Sequence, residues 1–170
     1  MSNLSIYNYL NLLIDQQIKE IGRASNMLWI SLGKIVTVKY SNGEELLKST
    51  FSINIQCSWR MIGKPPKSIL FASSDIYEPN SSTKWTEDFN WDIQGINLFD
   101  QKSNEWLVAN NPVFVKGVDV RDLGDLFLLL STGDILEVFV DNSTTKEAWR
   151  FFERNSSQNH FIMTGNGVVF

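Results

Sequence analysis

Phe51-Ser52-Ile53-Asn54-Ile55-Gln56-Cys57-Ser58-Trp59-Arg60 alternates without a fault, apolar at every odd position and polar at every even one. Successive side chains on a strand point to opposite faces, so this stretch predicts one long strand with an apolar side against a core and a polar side away from it. The polar side is unusual. Ser52, Asn54, Gln56 and Ser58 are uncharged hydrogen-bonding groups, and Arg60 adds a planar fork suited to carboxylate or phosphate. A row of this kind suits a recognition groove, which makes Asn54, Gln56, Ser58 and Arg60 candidate ligand- or partner-binding residues.

Working outward, the strand extends from about residue 46 to 61. Gly63-Lys64-Pro65-Pro66 ends it, since neither proline can donate a ladder hydrogen bond. Before it, residues 27–32 and 35–40 read as strands, and Ser41-Asn42-Gly43-Glu44 as a tight turn, because Asn-Gly tolerates positive φ. At the N-terminus, Ile6, Leu10, Leu13, Ile14, Ile18 and Ile21 follow helical spacing, and Gly22 stands where a C-cap glycine belongs. An amphipathic helix over residues 4–21, packed on the sheet, is the expectation.

Beyond the prolines, a strand starts near Ser68, and residues 78–95 form a polar, aromatic, irregular loop. A short helix over 98–109 would bring Phe99, Trp106 and Leu107 to one face. Strands follow at 113–120, 125–130 and 135–140, the last two joined by a Ser131-Thr132-Gly133-Asp134 turn. Thr144 with Glu147 resembles a capping box and predicts a short helix near 145–153. A hairpin around Gly165-Asn166-Gly167 closes the chain. The sum is one α+β domain over residues 1–170 with a mostly antiparallel sheet. There is an internal echo: Val36-x-Val38-x-Tyr40 before its turn matches Leu126-x-Leu128-x-Leu130 before its own, and Trp59-Arg60 recurs as Trp149-Arg150.

With 43% hydrophobic residues, six Trp and eleven Phe, 170 residues can build a substantial core without staples. Cys57 is the single cysteine, so no internal disulfide forms, which suits a reducing, cytoplasmic setting. No window reaches the ~20 apolar residues of a membrane span. A formal charge of −4 with fifteen scattered Lys and Arg argues against a nucleic-acid surface and favours a basic protein partner.

Catalytic constellations are sparse. Cys57 and His160 are one of each, and the parity of Cys57 with Ile53 and Ile55 places the thiol on the core face. Asp88-Phe89-Asn90-Trp91-Asp92 alternates oxygen ligands as a calcium loop does, but Ile93 and Phe99 stand where glycine and the bidentate glutamate are required. Neither a metal nor a cofactor is expected. Asp88, Trp91 and Asp92 join the candidate binding residues. Asp75, Glu78, Glu87, Asp88 and Asp92 support the rival reading of a carboxylate-dependent hydrolase, since such pairs need only spatial proximity.

Ile55-Gln56-Cys57-Ser58-Trp59-Arg60 resembles the IQCxWR signature of a group of uncharacterised bacterial proteins. Phe89-Asn90-Trp91-Asp92, Leu136-Glu137-Val138-Phe139 and Glu147-x-Trp149-Arg150 resemble further anchors of that group, over about two thirds of the chain. The resemblance implies a bacterial protein and no reaction, cofactor or catalytic residue. The leading expectation is a non-enzymatic, acidic, soluble bacterial protein that binds a partner, in the manner of a toxin-neutralising protein.

Overall fold

Odd-numbered side chains from Phe51 to Met61 all enter one core, as their alternation requires, although the strand that carries them is two strands. The computed structural model describes residues 8–64, 67–157 and 160–169. β1 (Gln17–Ala24), β2 (Met27–Lys39) and β3 (Glu45–Ile55) form an antiparallel meander. β4 (Ser58–Ile62) and β5 (Ile69–Ala72) follow, then helix α1 (Leu98–Asn110). A second meander is built from β6 (Val113–Val120), β7 (Leu126–Leu130) and β8 (Ile135–Phe139). The chain ends with β9 (Glu147–Glu153), β10 (Phe161–Thr164) and β11 (Gly167–Val169).

The hydrogen-bonded order is β11-β10-β9-β3-β2-β1-β6-β7-β8-β4-β5, antiparallel at every pairing. β3 runs between β2 and β9, whereas β4, its direct continuation, runs between β8 and β5. The transfer happens at Gln56 and Cys57, whose N–H groups both donate to the Ala148 carbonyl, at 2.7 and 3.2 Å. Because one continuous stretch supplies both the fourth and the tenth strand of the order, the sheet curls back on itself around a shared core. Leu28, Ile30, Ile53, Trp59, Leu128, Val138, Trp149 and Phe161 meet there with almost no exposure, each such burial stabilising by roughly 1.5–3 kcal/mol.

Of two further helices expected from sequence, the one near 145–153 is a strand and the one over 4–21 gives way to a strand at residue 17. Residues 8–10 are helical and Asn11–Leu13 continue as a 3₁₀ turn. Asp15, at φ 62°, then stops the helix, and Gln17–Ala24 pairs with β2; positions 4–7 of the expected helix lie outside the described residues. The apolar spacing served both ends all the same: Leu10, Leu13 and Ile18 are buried. Gly22 is no C-cap but a strand residue under the Trp29 indole, where a Cβ would stand 2.4 Å from Cζ2. Residues 147–153 are β9 because Trp149 and Phe151 alternate with Arg150 and Phe152, and the segment fills the gap between β3 and β10. Thr144 Oγ1 accepts the Lys146 N–H in a local turn, and Glu147 turns to Arg150. The helix expected at 98–109 is present as α1. Asn97 Oδ1 accepts the Asp100 N–H at its start, and Phe99, Ser103 and Trp106 share its buried face.

The internal echo has a topological basis. Helical residues, then β1 to β5, are matched by α1, then β6 to β10, and each half lends one strand to the other: β4 pairs with β8, and β9 with β3. Leu28, Ile55 and Trp149 lie side by side, as do Leu126, Val138 and Trp59, so Trp59 and Trp149 are equivalents. The equivalent of Leu126 is therefore Leu28 and not Val36. The halves differ by a hairpin extension, residues 33–50, where the second half has only its four-residue turn.

Candidate functional site

On the side of β1, β2, β3 and β9 that faces away from the core, the strands bring polar and aromatic residues into two rows. Gly22, Trp29, Asn54 and Arg150 stand opposite one another in sequence across the four strands; Glu20, Ser31, Ser52 and Phe152 form the next row. Between them lies a trough of about 230 Å³, with Met27 at one end and Lys48 and Arg154 lining it from the hairpin and the end of β9.

Ser31 and Ser52 are small enough to form a floor. Ser52 Oγ donates to Asn54 Oδ1 at 3.0 Å, and the amide Nδ2 has no partner among the described residues. Arg154 is held in place: Nη1 donates to the carbonyls of Ser49 at 2.8 Å and Phe51 at 3.4 Å, and Cζ lies 5.2 Å from the Phe152 ring centre. Burial pulls the Arg154 guanidinium below its ordinary value, against the opposing pull of Tyr40 and Glu20. Phe152 is in turn stacked on His160, with ring centres 4.4 Å apart. His160 Nδ1 lies 3.2 Å from Arg150 Nη1, and burial and the Arg150 charge lower the His160 pKa, so the imidazole favours its neutral form.

Of the residues expected from sequence, Asn54 lines the trough. Gln56 is exposed at the bend between the strands. Ser58 and Arg60 keep the same parity but belong to the other sheet: Ser58 Oγ donates to Asp141 at 2.5 Å, and Arg60 pairs with Glu137 at 2.6 Å beside the Phe139 ring. The loop acids lie elsewhere again. Asp92 is bound to Arg23, whose strand partner Leu28 points to the core; Trp91 packs on Tyr77 with ring centres 5.0 Å apart; Asp88 is exposed. The seven residues therefore do not form one site.

The hydrolase carboxylates are similarly dispersed. Asp75 accepts the Ala72 N–H and lies 3.6 Å from Lys102, Asp92 holds Arg23, and Glu78, Glu87 and Asp88 are exposed. Arg60 pairs with none of them. Cys57 faces the core, where burial first and Asp141 second push its thiol up to about 12, and His160 lies on the outward face. Sequence reading missed Trp29, Lys48, Phe152 and Arg154. The period-2 spacing of Met27, Trp29 and Ser31 shows that these three share a face and leaves open which face it is.

The equivalent face of the second half carries different side chains. Phe127, Glu137 and Arg60 occupy the positions of Trp29, Asn54 and Arg150, with Arg121 stacked 3.9 Å above Phe127; Leu129 and Ile135 replace Ser31 and Ser52. In comparisons with protein-family models, with curated proteins and with solved structures, nothing matches this chain.

Proposed function

We propose that this protein works by binding and not by catalysis, with the outward trough over β1, β2, β3 and β9 as its recognition surface. The observation that carries the reading is the contrast between the two halves: at equivalent positions of one topology, Leu129 and Ile135 stand in one half, and Ser31 and Ser52 floor a trough in the other. Lys48 and the Asn54 amide line it without partners among the described residues, which leaves both able to contact a ligand. The single buried thiol fits a cytoplasmic, reducing location. Among the described residues no helix is long and apolar enough to cross a membrane.

Hydrogen exchange of the protein with and without a fractionated extract of its source cell tests the reading. Protection concentrated at residues 27–31, 48–54 and 150–154, and abolished by Ser52→Ile, is expected. Protection elsewhere, or protection that Ser52→Ile leaves intact, would overturn it.

A second reading, neutralisation of a basic protein such as a toxin, draws on the loop at 80–96. Trp85 is 67% exposed beside Phe89, and Glu87 and Asp88 flank them in water. An aromatic anchor within an acidic rim suits a cationic protein surface. Co-expression with toxin-like genes adjacent to its own, comparing the protein with its Trp85→Ala variant, decides this: rescue by both alike counts against the loop.

A further inference from the structure

We propose that the trough binds a small aromatic carboxylate, its ring lying against Trp29 and Phe152 and its anionic group reaching Lys48 and Arg154. The inference rests on the trough being the recognition surface and adds the chemistry of what enters it.

Size comes first. About 230 Å³ is the room of roughly eight waters, which admits a ligand on the order of ten non-hydrogen atoms and no folded domain. Shape comes next. Two of the lining side chains, Trp29 and Phe152, are aromatic, and both are anchored: the Trp29 indole lies over Gly22, where a Cβ would stand 2.4 Å from Cζ2, and Phe152 is stacked on His160. A planar group uses such walls better than a branched one, because offset ring contacts add to simple burial.

Charge then selects among planar ligands. The trough offers donors: the three of the Lys48 ammonium, the Asn54 Nδ2, and the Nε and Nη2 of Arg154, none with a partner among the described residues. Glu20 on the β1 side is the one carboxylate that lines it. Arg154 is in contact with backbone carbonyls and an aromatic ring but in no ion pair among the described residues, and burial lowers its pKa against the opposing pull of Tyr40 and Glu20, so an anion delivered to it would meet a partly desolvated guanidinium. Both cations stand at the hairpin end of the trough. Lys48 comes from the extension that the second half lacks, where Leu129 and Ile135 also stand in place of the two serines. The hairpin, the two serines and the cationic end therefore form one feature.

Isothermal titration with phenylacetate, phenylacetamide and inorganic phosphate tests the assignment on the full chain. Phenylacetate should bind with a dissociation constant between about 10 μM and 1 mM. Phenylacetamide should bind at least about tenfold more weakly for want of charge, and phosphate for want of a ring. Lys48→Ala, at the exposed rim, should weaken phenylacetate about tenfold, and Ser52→Ile or Ser31→Leu should abolish binding with near-UV circular dichroism unchanged. The proposal is overturned by no saturable heat for phenylacetate up to about 10 mM, by equal affinity for acid and amide, or by wild-type affinity in the filled variants. If phenylacetate fails while Ser52→Ile still removes extract-dependent protection, the ligand class falls and the recognition surface stands. If both fail, both fall.

Discussion

Replacing Arg23 with methionine should remove about 3–5 kcal/mol of stability, far more than its position near a turn suggests. Its side chain is fully buried. Nε and Nη2 make a fork to the two oxygens of Asp100 at 2.9 and 3.0 Å, Nη1 reaches Asp92 at 3.3 Å and the Ser25 carbonyl at 3.1 Å, and Nη2 also meets the carbonyls of Asp92 and Ile93. The guanidinium thus ties β1 to the end of the 80–96 loop and to the first turn of α1. Methionine fills the volume but leaves Asp100, whose side chain is 12% exposed, with the Gly95 N–H as its main remaining charge partner. The carbonyls of Ser25, Asp92 and Ile93 also lose this donor. At roughly 2–4 °C per kcal/mol for a chain of this size, Tm should fall by about 6–20 °C. Asp92→Asn, by contrast, touches a carboxylate that is 53% exposed and makes one long contact, and should cost less than about 1 kcal/mol. Urea denaturation of Arg23→Met, Asp100→Asn and the double variant is the measurement. The double variant should be more stable than Arg23→Met alone, because removing both charges leaves none buried without a partner. An Arg23→Met variant within about 1 kcal/mol of wild type would refute the claim that this fork anchors the loop.

Two further outcomes follow from the titrating groups. Cys57, pushed up to about 12 by burial and by Asp141, should resist iodoacetamide at neutral pH in the native protein and react fully in denaturant; rapid native labelling would place the thiol outside the core. His160 has a folded pKa below its unfolded value near 6.5, owing first to burial and then to Arg150, so the unfolded chain holds more protons between the two values. Stability should therefore be full above pH 6.5, decline as pH falls through that window, and level off beneath the folded value. His160→Phe, which keeps the stack on Phe152, should flatten this dependence in urea midpoints taken from pH 5 to 8, and an unchanged profile would show that another group sets it.

Period-2 alternation was the dependable signal in this sequence, because it reports which side of a sheet a residue takes whatever the strand pairs with. The parity of Phe51, Ile53, Ile55, Cys57, Trp59 and Met61 survives the transfer from one sheet to the other at Gln56 and Cys57, and all six are buried. The glycine turns at 40–44 and 130–134, the helix at 98–109 and the C-terminal hairpin were legible because each is set by residues near in sequence. Helix and strand could not be separated where apolar residues are sparse. Leu10, Leu13 and Ile18 are buried whichever way residues 17–21 fold, and what selects strand is pairing with β2 and β6, partners up to about a hundred positions away.

The candidate site was hidden by one residue. Pairs in the hairpin run Lys39 with Glu45, Thr37 with Leu47 and Ile35 with Ser49; continued without interruption they would set Trp29 against Ile55 and send its indole into the core. Gly33, at φ +88°, takes a left-handed conformation that shifts the ladder by one, so Leu32 meets Phe51 and Trp29 meets Asn54 on the outward face. A slip of one residue exchanges the two faces of a strand. The bulge at Gly33 therefore turns Trp29 and Ser31 outward to line the trough with Asn54, and it also marks where the hairpin that supplies Lys48 departs from the second half's plan. A lone glycine inside an apolar run carries the sequence's only notice of it.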